Sequence, residues 1–113
     1  MSAIDDIAAE RLRQIGAEGW TFDHDDAHFR GELTLAAMAY CHSAATLSAR
    51  GRDDTSVLRG HPATYWPWDR RWWKPLTRRR DLVRAAALIV AEIERLDRAA
   101  SKEPRLSGCA QGS

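Results

Sequence analysis

The sequence predicts an all-α protein: a small three-helix bundle with a long Trp/Pro-rich irregular connection and a disordered C-terminal tail. Three observations carry that prediction. Apolar residues recur at three- and four-residue intervals near both ends of the chain, the middle holds an alanine-rich apolar run, and no stretch alternates polar and apolar residues as a strand would. At 113 residues the chain is sized for one domain, read here as residues 1–101, with 102–113 as the tail.

The first helix rests on Ile4, Ile7, Ala8, Leu12 and Ile15, with Asp6, Glu10 and Arg13 on other faces. Ser2 and Asp5 form an N-terminal capping signal, and Gly16 and Gly19 bracket the end. A polar connection, EGWTFDHDDAHFRGE, follows with one aromatic expected to be buried, Trp20. The second helix is predicted over Phe29 to Ala49. Its middle, LTLAAMAYCHSAATL, is apolar on nearly every side, which suits the central helix of a bundle, and Gly51 ends it. Residues 51–64 carry Gly, Asp and Pro at short intervals and read as loop. The third helix opens with Thr77 as cap. Its apolar stripe is Leu82, Ala86, Ile89, Ile93 and Leu96, widened by Val83 and Val90, and Glu94 with Arg98 supplies an i,i+4 pair. After Ser101 the periodicity is lost.

Composition narrows the function. A net charge of +1 argues against a chain that coats long nucleic acid, and the acidic stretch from Asp23 to Asp26 would repel a polyanion. Cys41 and Cys109 are far apart and form no CxxC pattern, so neither a disulfide framework nor a zinc site is expected. Without a run of about 18 apolar residues or a signal sequence, the chain reads as cytoplasmic with no membrane partner.

The most informative stretch is YWPWDRRWWKPLTRRR, residues 65–80. It holds four of the five tryptophans and six of the seventeen Lys and Arg residues. Two explanations compete. Trp66, Trp68, Trp72 and Trp73 can plug the open end of a small bundle, since each buries about 200 Å². Alternatively they line a place for a flat, anionic molecule. Adjacent Trp72 and Trp73 diverge by about 100° if locally helical, so both cannot enter one core. Arg78, Arg79 and Arg80 fall in the first turn of the third helix, where free N–H groups disfavour cations. A bound anion would reverse that sign and gain the arginine forks. Aromatic planes beside arginines suit a base and its phosphates. The candidate ligand-binding residues are therefore Trp20, Tyr65, Trp66, Trp68, Arg71, Trp72, Trp73, Lys74, Arg78, Arg79 and Arg80. No catalytic residue, metal or cofactor is assigned. His24, Asp25, Asp26 and His28 are metal-ligand types, but their loop spacing constrains nothing, and helix capping by Asp25 or Asp26 with ordinary solvated polarity is the preferred account. His42 and His61 have no evident partner.

Gly19-Trp20-Thr21 after an amphipathic helix, then Pro67, Trp68, Lys74 and Arg80 leading into the last helix, resemble the small ryanodine-receptor-type repeat domain. The resemblance spans about half the chain, and the family's His-Pro matches only His61-Pro62, at altered spacing. The chain is also similar to small proteins common in phages and prophages. The resemblance implies binding of nucleotide-type ligands, ADP-ribose-like or cyclic, and in a phage setting sequestration of a host immune nucleotide signal. A homo-oligomer is compatible with this. All-α nucleoside triphosphate pyrophosphohydrolases are the alternative. They hold Mg²⁺ with paired E-x-x-E/D carboxylates on facing helices, which Glu32, Glu92, Glu94 and Asp97 do not reproduce. A third reading makes the exposed Trp and Arg side chains a protein–protein hot spot.

Overall fold

The computed structural model describes residues 2–16, 27 and 30–101. The chain is all-α. Helix α1 spans Ala3–Gly16, α2 Glu32–Ala49 and α3 Arg78–Ser101, with 3-10 turns at Thr55–Leu58 and Arg70–Trp72. Among the described residues there is no strand, only an isolated antiparallel bridge between Asp54 and Thr77. The expected tail, Trp20, the 23–28 Asp/His cluster and a start of the second helix at Phe29 lie outside the described residues.

Local signals set the helix ends as the sequence indicates. The Ser2 hydroxyl accepts from the Asp5 N–H (3.1 Å), and the Thr77 hydroxyl accepts from the Arg80 N–H (3.1 Å). Gly51 takes a left-handed φ of 66° just past α2. Its N–H donates to Ser48 O and that of Arg52 to Leu47 O, which satisfies two terminal carbonyls in a Schellman turn.

Packing differs from the sequence expectation in three respects. The middle helix of the set is α3, not α2: α3 packs on both α1 and α2. Where α2 and α3 meet, small residues dominate, with Ala36, Ala37, Ala39 and Ala44 on one side and Ala85, Ala87 and Ala91 on the other. Leu33, Leu47 and Leu88 fill the remaining space. Alanines let two backbones approach closely and leave little room for larger side chains between them. That contact chooses the alanine face of α3. The predicted stripe consequently points away from it: Leu82 is 49%, Ile89 44%, Ile93 51% and Leu96 51% exposed.

The first helix shows the same inversion. Ile4 and Leu12 are exposed, whereas Glu10, Arg11 and Gln14 are buried. Charge pairing decides this face. Arg79 binds Asp6 (2.7 Å), Arg80 binds Glu10, and Arg11 donates through Nε and Nη2 to Glu94 (3.1 Å each). Arg13 and Gln14 also donate to Glu10. Burial pushes the Glu10 carboxyl up, but the hydrogen bonds and positive charges of Arg13 and Arg80 outweigh it and hold the group below its ordinary range.

The 51–64 connection is tied down rather than formless. Asp54 caps the Thr55–Leu58 turn by accepting from Ser56 N–H and Oγ, which lowers the Asp54 pKa. Thr55 N–H donates to Leu76 O and Arg78 N–H to Asp53 O, fastening the loop to the start of α3. Beneath this seam lies Asp81, with no exposed surface. Its carboxylate accepts from Ser43 Oγ (2.8 Å), Thr55 Oγ1 (2.5 Å) and Leu76 N–H (2.9 Å). One side chain thus joins α2, the loop and the α3 N-terminus.

Candidate functional site

The Trp-rich segment divides into a structural half and an exposed half. Trp73 is 4% exposed and stacks on Tyr40 of α2, with centroids 4.8 Å apart and planes at 30°. Trp66 meets both edge-on, at 5.7 Å from Tyr40 and 5.0 Å from Trp73. Trp68 continues the herringbone against Trp66 at 5.5 Å and 85°. Offset and edge-to-face geometries are those that aromatic quadrupoles favour. Two of the three indole N–H groups are bonded to the backbone: Trp73 Nε1 donates to Leu58 O (2.8 Å) and Trp66 Nε1 to Asp69 O (3.2 Å). Lys74 N–H donates to the Tyr40 hydroxyl, whose pKa burial raises. Tyr65, half-buried, packs beside His42 with its hydroxyl 3.5 Å from Met38 O. These rings pin the irregular segment to α2, as the plug explanation requires.

Trp72 is the exception. Asp69 accepts from the Arg71 N–H and starts the short Arg70–Trp72 turn. Across the end of that turn the neighbouring indoles part, Trp73 buried and Trp72 exposed. Trp72 is left 43% exposed. The Arg71 guanidinium and the Lys74 ammonium each lie 5.4 Å from its ring centroid. Among the described residues neither cation has an acidic partner. Both charges therefore remain available to an anion lying against the indole.

The three arginines at the start of α3 have other occupations. Arg78 binds Asp53 (3.0 Å) and Ser48 Oγ (3.2 Å), while Arg79 and Arg80 bind Asp6 and Glu10. A recess of about 200 Å³ is lined by Asp6, Glu10, Arg13, Arg79 and Arg80, with two carboxylates already seated among its cations. A phosphate there would have to displace Asp6 or Glu10. The arginines' sequence position needs no ligand to explain it: α1 supplies two of the three counter-charges.

Two features escaped the sequence reading. One is Asp81, whose hub role depends on partners 38 and 26 residues away. The other is a cleft of about 380 Å³ between α2 and the 58–65 loop, with Trp73 and Tyr65 in its wall and His42 and His61 facing it. The two histidines are 19 residues apart, so no spacing rule could join them. Its volume lies within the range of small-molecule sites. Of the α3 carboxylates, Glu92 is bound by Arg95 and Glu94 by Arg11. Among the described residues no three His, Cys, Asp or Glu side chains converge on a metal-sized site. No helix among them is long and apolar enough to cross a membrane.

Scans of family models, curated proteins and solved structures each give no match to this chain.

Proposed function

We propose that the protein is a non-catalytic binder of a phosphorylated, nucleotide-like small molecule, held at the Arg71–Trp72–Lys74 face. The observation that carries this reading is the half-exposed indole flanked by two cations that have no acidic partner among the described residues. A base or other flat ring stacks on the indole, and Arg71 and Lys74 take the phosphate charge. Arg78, Arg79 and Arg80 belong to the fold in this reading, and Trp66, Trp68 and Trp73 hold the platform in place. Two cations on a chain of net charge +1 suit a short, compact anion better than a long strand. The resemblance to the ryanodine-receptor-type repeat points the same way, to an ADP-ribose-like or cyclic nucleotide, and its phage setting to sequestration of a host signal. A thermal-shift screen against mono-, di- and cyclic nucleotides and ADP-ribose tests it. A true ligand at 100 times its Kd adds about 2.7 kcal/mol to stability. No shift with any of them, or Mg²⁺-dependent hydrolysis of nucleoside triphosphates, refutes the proposal.

A further inference from the structure

The cleft of about 380 Å³ between α2 and the 58–65 loop differs in character from the Trp72 face. On a chain in which 29% of residues are charged, no Asp, Glu, Lys or Arg among the described residues lines it. Its apolar walls are Ala39, Leu58, Pro62, Ala63 and Trp73, and Tyr65 stands edge-on to His42 at 6.4 Å and 82°. The protein's own hydrogen bonds hold these walls in place. His61 N–H donates to Leu58 O (2.9 Å), Trp73 Nε1 to the same carbonyl (2.8 Å) and Arg70 Nη2 to Gly60 O (2.6 Å). On the α2 side the hydroxyls are already committed, Ser43 to Asp81 (2.8 Å) and Thr46 to the His42 carbonyl (2.8 Å). The imidazoles of His42 and His61 are not. Among the described residues neither ring makes a hydrogen bond.

We infer that this cleft is a second ligand site, for an uncharged planar ring molecule whose edge carries a hydrogen-bond donor beside an acceptor, as in a cyclic amide. Charge is selected against, because an ion leaving water here would meet no fixed counter-charge. Flatness follows from the apolar and aromatic walls, which a ring covers best. The edge follows from the two histidines. A neutral imidazole offers one N–H donor and one bare nitrogen acceptor, so two of them can answer a donor and an acceptor together. Phosphate, which Arg71 and Lys74 suit, finds no such partner in the cleft, and the two sites take different molecules.

Carbon–proton NMR of the histidine rings in the full chain, titrated with 2-quinolone at neutral pH, tests the inference. The His42 and His61 signals, assigned by substitution, should move saturably. The anion 2-naphthoate, of similar size and shape, should bind more weakly by roughly 10-fold or more. His42→Phe keeps a ring against Tyr65 and should weaken 2-quinolone roughly 2- to 10-fold, the net worth of one hydrogen bond, and His61→Phe likewise. Both positions are exposed, so neither change should lower the melting temperature. Trp72→Ala should leave 2-quinolone affinity unchanged, which keeps this site distinct from the Trp72 face. No saturable movement at 2 mM 2-quinolone, equal affinity for 2-naphthoate, parental affinity in a folded His42→Phe, His61→Phe chain, or loss of 2-quinolone binding in Trp72→Ala would overturn it.

Discussion

Removing the Asp81 carboxylate tests whether one buried side chain holds the α3 start, the loop and α2 together. Asp81→Ala leaves three donors without their acceptor: the Ser43 and Thr55 hydroxyls and the Leu76 N–H. A buried donor left unpaired costs about 1–3 kcal/mol. Ser43 loses least, because its hydroxyl also donates to Tyr40 O at 2.9 Å. Thr55, fully buried, has no such second acceptor among its hydrogen bonds. Together these give a loss of about 3–5 kcal/mol, a large share of the 5–15 kcal/mol typical of a whole domain. Urea unfolding followed by far-ultraviolet circular dichroism measures it, and the melting temperature should fall by about 15–30 °C. Asp81→Asn keeps one acceptor oxygen and should lose about half as much. A loss below 1 kcal/mol for Asp81→Ala would refute the reasoning, since the three donors would then have found other partners.

Three further outcomes follow from the same contacts. Trp73→Ala should cost about 3–5 kcal/mol by emptying the aromatic core, and Trp72→Ala less than about 1, both read by the same urea titration. Arg80→Ala should destabilise by about 1–3 kcal/mol, because it strips a partner from buried Glu10, although a cation at a helix start is otherwise unfavourable. Glu10 has its carboxyl pKa lowered on folding, so its contribution is complete above the ordinary carboxylate range and is lost as pH falls through the lowered value. Melting temperatures between pH 6 and pH 3 should therefore fall less steeply for Glu10→Gln than for the parent.

The helices, their caps and the glycine stop at Gly51 were legible because they depend on neighbours within four residues. So was the divergence of Trp72 and Trp73. The buried faces were not. Hydrophobic period alone assigned Leu82, Ile89, Ile93 and Leu96 to the inside of α3, yet the alanines allow the closer α2–α3 contact and win the face. In α1, ion pairs to Arg79, Arg80 and Glu94 outweigh the apolar stripe, and those partners lie 70 or more residues away. Likewise, Arg78–Arg80 read as an anion site only until Asp53, Asp6 and Glu10 are brought to them. Within the 65–80 segment, sequence supplied the residue types of the candidate site. Which indole remained outside required the fold.

The binding claim is tested most directly by calorimetric titration of Trp72→Ala beside the parent, using the nucleotide that gives the largest thermal shift. The indole is half exposed and, among the described residues, its ring meets the cations of Arg71 and Lys74, so the variant should fold with nearly parental stability. Its affinity should nevertheless fall by about 1–3 kcal/mol, the usual worth of a stacked base, or roughly 5- to 150-fold in Kd. Parental affinity in a folded Trp72→Ala variant would contradict the account.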